Sequence, residues 1–398
     1  MQDVDVCVVG AGPVGGTLAC LLAQSGVRTA IIDRAALAPM EHPAFDGRAY
    51  AIAAGSRAVM QRAGVWDRLP AETGPIKEIR VSDGKLGHRA SRLFLHFDTR
   101  EVNAEAFGWM VEARSLRMAL NGLMHDLPGL AVHAPATARV TRSDDGAEIA
   151  IAGGESFRAR LVVAADGRGS ALRSEAGIRT TSLPYDQVGI VCTIAHERPH
   201  DGVALEHFLP AGPFALLPMA GTDEEPHLSA IVWTERTEMA AHIMKLDVAR
   251  FVAELVRRLG NYLGAVRLIG QRWSYPLSAL LVHEYTATRL ALIGDAAHGI
   301  HPIAGQGLNL GFREITALVG LVDEAVRAGL DPGGPDLLRR YQAARRPDNV
   351  AMLVATDGLD RLFSNDNPLV RLARDVGIAA VHRVGPLKRA FMRQAMGA

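Results

Sequence analysis

Three stretches of this 398-residue chain combine residue types and spacings that suit cofactor chemistry. The first is Gly10-Ala11-Gly12-Pro13-Val14-Gly15. Gly10 permits a tight turn, Gly12 lets the backbone approach a pyrophosphate, and Gly15 lets a helix pack closely on a strand. A helix opening here offers unpaired N–H groups and a partial positive charge to phosphates. Asp33, with Arg34 beside it, ends the next strand, where a carboxylate can bind ribose hydroxyls. Taken alone, this motif fits FAD and NAD equally.

The second stretch is Asp166-Gly167-Arg168-Gly169-Ser170-Ala171-Leu172-Arg173. A carboxylate at a strand end, with glycines allowing close approach, suits a hydroxyl-rich ligand, a domain crossover or an ordinary capped turn. The third runs from Gly294-Asp295-Ala296-Ala297-His298 to Pro302-Ile303-Ala304-Gly305-Gln306-Gly307-Leu308-Asn309-Leu310-Gly311. Its glycines expose backbone N–H groups where a long helix begins, a place to stabilise negative charge. A reduced flavin carries such charge at its N1/C2 carbonyl edge. His298 and His301 flank this loop; each suits either substrate orientation and proton movement or a structural hydrogen bond. No His pair has metal-ligand spacing, so no metal site is expected. No Ser-His-Asp set is recognisable.

The elements that must position these residues are legible in outline. Asp3 to Val9 reads as a buried strand, a helix with Leu18, Leu21 and Leu22 follows and stops at Gly26, and Thr29 to Asp33 is a second strand. This is one βαβ unit. Ser56 is expected to cap a helix ending at Gly64, and Ser115 another carrying Leu116, Leu120 and Leu123. Leu161 to Ala165 is a short apolar strand. From about 181 to 280 the texture turns to strands: Val188, Ile190, Cys192 and Ile194 alternate, and Pro210-Ala211-Gly212-Pro213 suits a hairpin turn. Leu228 to Thr234 and Gln271 to Leu277 also read as extended. Leu290 to Ile293 returns to the buried-strand style, and the chain beyond Gly305 reads as mostly helical.

Composition narrows the class. Lys plus Arg and Asp plus Glu are each 43, so the net charge is zero and no basic field exists to hold nucleic acid. Cys7, Cys20 and Cys192 form no disulfide or metal pattern, which suits a reduced, cytoplasmic protein. Val6 to Val27 is uncharged, but Gly10, Gly12, Pro13, Gly15 and Gly16 would interrupt a spanning helix. No membrane span or signal peptide is expected.

The three motifs in this order resemble the single-component FAD-dependent aromatic monooxygenases of p-hydroxybenzoate hydroxylase-like fold. Within that group the chain is most similar to the ubiquinone-biosynthesis hydroxylases. The resemblance covers nearly the whole chain. It rests further on Asp46-Gly47-Arg48-Ala49-Tyr50-Ala51-Ile52, on Val111 to Leu120, and on the tail with Arg346-Pro347-Asp348-Asn349, Leu362-Phe363-Ser364-Asn365-Asp366 and Ala395-Met396-Gly397. It implies that Asp33 holds the FAD ribose, that Arg48 and Arg114 lie along the cofactor, and that Asp295 binds its ribityl or pyrophosphate side. Pro302 and Gly305, Gln306, Gly307, Leu308 and Asn309 would line the isoalloxazine, with Pro302 and His301 nearest the chemistry. Two residues depart from the pattern: Asp33 stands where Glu is commoner, and Glu314 where Asp is usual.

The expected fold is α/β: a Rossmann-like FAD-binding domain (1–75, 105–180, 281–334) interrupted by a mixed or antiparallel sheet for substrate (76–104, 181–280), with a helical C-terminal region (335–398). The resemblance implies hydroxylation of a polyprenylated phenol in ubiquinone biosynthesis by O₂, through a flavin C4a-hydroperoxide, with NAD(P)H as reductant. A hydroxylase of a small soluble phenol and a non-catalytic FAD-holding subunit of a biosynthetic complex are the alternatives. Val370 to Ala398 carries Arg371, Arg374, Arg383, Lys388, Arg389 and Arg393 interleaved with apolar residues. That pattern suits equally a peripheral contact with anionic lipid and a packed terminal helix.

Overall fold

The computed structural model describes residues 3–37, 47–84, 94–363 and 385–397. Asp46, Ser364 to Asp366, Arg371, Arg374 and Arg383 lie outside the described residues.

The strand Val4–Val9 forms the centre of a parallel sheet because nearly all of its side chains, Asp5 included, are buried. Thr29–Ile32 pairs with it on one side and Ser156–Ala164 on the other, both parallel. Leu130–His133 extends the sheet beyond Thr29–Ile32, and Leu290–Leu292 beyond Ser156–Ala164. Between the first two strands runs the helix Pro13–Gln24, with proline in its first turn. Its Leu18 and Leu22 are fully enclosed, each stabilising the layer by about 1.5–3 kcal/mol. Gly26, at φ +82°, ends the turn in a conformation that costs other residues more.

A second sheet of eight strands stands against the first unit. Its order is His298–Gly299, Val266–Val282, Thr180–His196, Leu228–Arg236, Gly212–Met219, Val203–Leu209, Glu78–Asp83 and Phe94–Asp98. All pairings are antiparallel except Val203–Leu209 with Glu78–Asp83. Strands from residues 78–98 therefore share one sheet with strands from 180–282. One face packs Ile190, Phe214, Leu216, Ile231 and Trp233 against Phe251 and Leu255 of the helix Val248–Leu259. A small sheet of Ala49–Ala53, Gly108–Glu112 and Gly74–Ile76 fills the junction of the two units.

Two expected caps are corrected by the structure. The helix Ala54–Arg62 starts directly from its strand with Ala53 at the cap, because the Ala54 N–H is already taken by the Phe107 carbonyl. Ser56 is buried inside that helix. Likewise Ala113–Asp126 begins after Glu112, where the Ala113 N–H meets the Arg48 carbonyl. Ser115 sits in the first turn and donates to Glu112 Oε2 at 3.3 Å.

Among the described residues, three helices follow the last strands: Gln306–Arg327, Pro335–Phe363 and Gly385–Met396. The last docks across the second sheet, with Met392 buried in a cluster with Ile76, Phe107 and Met110. Lys388 pairs with Glu101 at 2.6 Å.

Candidate cofactor and substrate site

The glycine loop is built as tightly as its sequence demands. Gly10 has φ +105°, and a Cβ there would lie 2.2 Å from the Ala165 carbonyl oxygen. A Cβ on Gly15 would lie 2.0 Å from the Gly10 oxygen. Gly12 differs: a Cβ would meet no protein atom within 4 Å, so its bare backbone faces an open cradle at the helix start. Asp33 closes the loop from the neighbouring strand. Its Oδ2 accepts the Ala11 N–H at 2.6 Å and its Oδ1 the Ala35 N–H at 2.8 Å. The Arg34 side chain is exposed.

The second motif sits beside the first. Asp166 Oδ2 accepts the Leu172 N–H at 3.3 Å, while its buried Oδ1 has no hydrogen-bond partner. Gly167 takes φ +85° in open space. Ser170 caps the next helix through the Arg173 N–H. The buried Arg173 guanidinium ties this motif to the third, donating to the Ala296 carbonyl at 2.9 Å and the Arg168 carbonyl at 2.8 Å. Arg168 in turn donates to the Ser278 carbonyl of the second sheet.

In the third motif Gly294 (φ +58°) opens a short 3-10 turn that carries the exposed Asp295. Val14 of the first helix packs against both Gly294 and Gly311, so the N-termini of Pro13–Gln24 and Gln306–Arg327 converge. Gly305, at φ +61°, starts the long helix. Pro302, Gly305, Gly307 and Leu308 are half-buried, and Gln306 reaches the Ala395 carbonyl at 3.5 Å. The Asn309 amide is turned onto strand Ala49–Ala53: it accepts from Ala53 N–H and donates to the Ala51 and Gly305 carbonyls.

Beneath this turn lies a buried polar network that sequence reasoning registered only as a departure. Glu314 has no exposed surface. It accepts the Gly294 N–H at 2.6 Å and the Asn349 amide at 2.5 Å, and lies 3.4 Å from His298 Nε2. Burial disfavours a charge on His298, but the Glu314 carboxylate, helped by Asp295, raises its pKa overall.

His301 is also fully enclosed. Its Nε2 is 3.2 Å from Gln187 Oε1 and 3.6 Å from Asp360 Oδ1, and its ring meets Tyr185 edge-on. Burial lowers its pKa against the pull of Asp360 and Asp357. It thus joins the loop before Pro302 to the second sheet and to helix Pro335–Phe363. Arg48 stacks over Trp273 at 4.9 Å, and Arg114 donates to Glu112 at 2.7 Å.

One face of the second sheet lies toward this loop, where Phe208 meets Ile303. Register aligns Trp273, Val191, Val232, Ala215, Glu206, Val81 and Leu95 in one cross-strand row. Directly opposed residues share a face. All but Ala215 of these residues are half-exposed, although the row crosses the middle of the sheet. One row on, Phe208 packs against Ile303, the neighbour of Pro302.

Residues 3–356 match the FAD binding domain family. The chain belongs to that family. It is 49% identical over 394 residues to the ubiquinone hydroxylase UbiL of Rhodospirillum rubrum, covering 99% of this chain and 89% of that one. It is 32% identical to the 3-demethoxyubiquinol 3-hydroxylase of Escherichia coli, covering 100% of this chain and 99% of that one. Among solved structures, PqsL of Pseudomonas aeruginosa superposes with a TM-score of 0.77 at 22% identity, over 95% of this chain and 100% of that one. That likeness establishes the fold.

The residues of this FAD binding domain protein fit the cofactor chemically. The open cradle at Gly12 and the two converging helix N-termini suit phosphate and developing negative charge. The unpartnered Asp166 Oδ1 suits a hydroxyl donor. Glu78, His96 and Asp98 also come within metal-ligating distance of one another, on the sheet edge, but Arg80 and Arg100 already bond the two carboxylates. Glu206 was not foreseen; only the strand register reveals its place.

Proposed function

We propose that this chain is an FAD-dependent monooxygenase that hydroxylates the aromatic ring of a polyprenylated phenol on the way to ubiquinone. The observation that carries the reading is the half-exposed, largely apolar row beside Phe208, which packs against Ile303 next to Pro302. An apolar floor beside a cofactor loop suits an aromatic ring with a hydrocarbon tail. The likeness to UbiL supports the same substrate class.

Bound FAD supplies the electrons and the activation of O₂ for this insertion. The chain's part is to bind, orient and exclude water. In this reading Gly10, Gly12, Pro13, Val14 and Gly15 present the first helix to the pyrophosphate, and Asp33 and Arg34 flank the ribose. Arg48 and Arg114 lie along the cofactor. Asp166, Gly167, Gly294 and Asp295 hold its polyol side, and Pro302 with Gly305 to Asn309 faces the ring system. His301 fixes the loop from behind. NAD(P)H is the reductant. The cofactor domain comprises residues 1–75, 105–180 and 281–334, the substrate domain 76–104 and 181–280, and the helical region 335–398.

No helix of the described residues is long and apolar enough to cross a membrane. On Gly385–Met396, Arg389, Phe391 and Arg393 are exposed, whereas Lys388 is taken by Glu101. That exposed edge is the peripheral contact to anionic lipid in this reading, at about 1 kcal/mol per basic residue. A complex with other enzymes of the same biosynthesis is the corresponding partner assignment.

Mass spectrometry of quinone intermediates in cells lacking this protein tests the reading. Accumulation of a prenylated phenol short of one hydroxyl supports it, and the pattern names the ring carbon. A normal quinone profile in cells without a second such enzyme points to a soluble phenol as substrate.

A further inference from the structure

Glu206 is the one ionisable residue in the seven-residue row on the sheet face toward the Pro302 loop. Ala215 and Val81 stand directly opposite it on the two adjacent strands, and Val232 and Leu95 lie one strand further out. Ala204 and Phe208, two residues away on its own strand, share its face and are buried in apolar clusters. The carboxyl makes no hydrogen bond or ion pair among the described residues, yet it keeps part of its surface accessible. Partial exposure in the middle of an eight-stranded sheet leaves the carboxyl open to a ligand on this face. The charged side chain met along the row is Arg48, stacked on Trp273 at the far end. Four strand spacings separate it from Glu206, about 19 Å.

An unpaired carboxyl on an apolar floor is unfavourable for folding alone, since its charge loses water and gains no partner. Burial accordingly raises its pKa to about 7. A group of that kind suits a ligand hydroxyl that satisfies it.

We propose that Glu206 receives the ring hydroxyl of the substrate, and so sets which way the ring faces the flavin loop. The inference rests on the phenol-hydroxylase reading above. The carboxylate accepts the phenol O–H as a charge-assisted hydrogen bond. When the ring reacts, the phenol O–H bond breaks, the proton joins a Glu206 oxygen, and the electron pair stays on the phenol oxygen, enriching the ring. As aromaticity is restored, the reacting carbon loses its hydrogen as a proton, which neutralises the oxygen left by the O₂-derived oxidant, and the Glu206 proton returns to the phenol oxygen.

The test uses the FAD-loaded full chain and 2-allylphenol as probe, with binding followed by flavin absorbance across the neutral range. The wild-type affinity should rise about tenfold as pH passes upward through the Glu206 titration, the difference between a charged and a neutral acceptor. Glu206→Gln should bind weakly with a flat pH profile, keep its FAD, and melt no lower than wild type. Glu206→Asp should restore a pH step. If wild type binds the phenol and Glu206→Gln matches its profile, this assignment fails while the hydroxylase reading stands. If wild type holds FAD but takes up neither this probe nor a longer-tailed prenylphenol, the reading fails and this assignment with it. Loss of FAD or of fold in both variants would make Glu206 a structural group and overturn the proposal.

Discussion

Glu314 accepts the backbone N–H of Gly294 at 2.6 Å, although 20 residues separate them and the contact has no access to solvent. The carboxylate therefore sets the position of the turn that carries Asp295. Its other oxygen holds Asn349 of helix Pro335–Phe363, so one side chain locks three elements. Replacing it with alanine would leave the buried Gly294 N–H and one of the two Asn349 amide hydrogens unsatisfied, at about 2–4 kcal/mol. Glu314→Ala should lower the urea midpoint and the FAD content together. Glu314→Asp, though usual in the family, should be destabilising here, because the shorter side chain cannot span Gly294 and Asn349 at once. Unchanged stability of Glu314→Asp would show that the network adjusts freely.

Two glycines of the first motif should fail in different ways. A methyl group at Gly15 collides with the Gly10 carbonyl and the Ala165 side chain. Gly15→Ala should cost at least about 2 kcal/mol of stability, whether or not FAD is bound. At Gly12 the methyl meets no protein atom. Gly12→Ala should melt like wild type without cofactor and bind FAD at least about tenfold more weakly, a loss of about 1.4 kcal/mol. Fluorescence of released flavin and thermal melting of the apoprotein separate the two cases.

Asp295 is exposed on its turn. Removing its carboxylate should therefore spare the fold, within about 0.5 kcal/mol. Asp295→Ala should nevertheless elute without FAD on gel filtration. A fully yellow variant protein would remove Asp295 from the cofactor site.

The protein should lose stability in mild acid through its histidines. His196 donates or accepts at both ring nitrogens, to the Arg198 carbonyl and Ser229 Oγ, and His200 does so with the Met219 carbonyl and Gly202 N–H. Their rings are 5.7 Å apart, with His227 at 6.0 Å from His196. Burial first, and the neighbouring imidazoles with it, lower both pKa values from 6.5. The folded state then binds these protons less readily than the unfolded state. Their stabilisation is present above 6.5 and is lost as pH falls through the lower folded values. His298 has the opposite sign: its pKa is raised, so its contribution is present below 6.5 and fades as pH rises. Urea midpoints measured from neutral to mildly acid pH should fall, and His200→Gln should flatten that fall.

The sequence made the cofactor half legible because its constraints are local. The strand Val4–Val9, the turn at Gly10 and the close approach at Gly15 all follow from residues within one βαβ unit. The strand-rich texture of 181–280 was equally readable from alternation. The partnership of Glu314 with Asn349 was not, since it joins positions 35 residues apart on two helices. Glu206 was hidden for another reason. A lone glutamate in a strand reads as a solvent-facing residue until register sets it between Val81 and Ala215. Ser56 and Ser115 misled because backbone carbonyls of Phe107 and Arg48, each just ahead of a strand, fix where those helices start.

The eight-stranded sheet draws its strands from residues 78–98, 180–282 and 298–299, and helix Gly385–Met396 then packs over its early strands. A chain emerging from the ribosome cannot complete either half before the other has been made. Synthesis must reach the last helix before Phe97 and Met110 are covered. The cofactor loop, too, follows nearly three quarters of the chain. The two helix starts that converge at the cofactor site, Pro13 and Gln306, lie far apart in the chain, so the site closes only after both have been made.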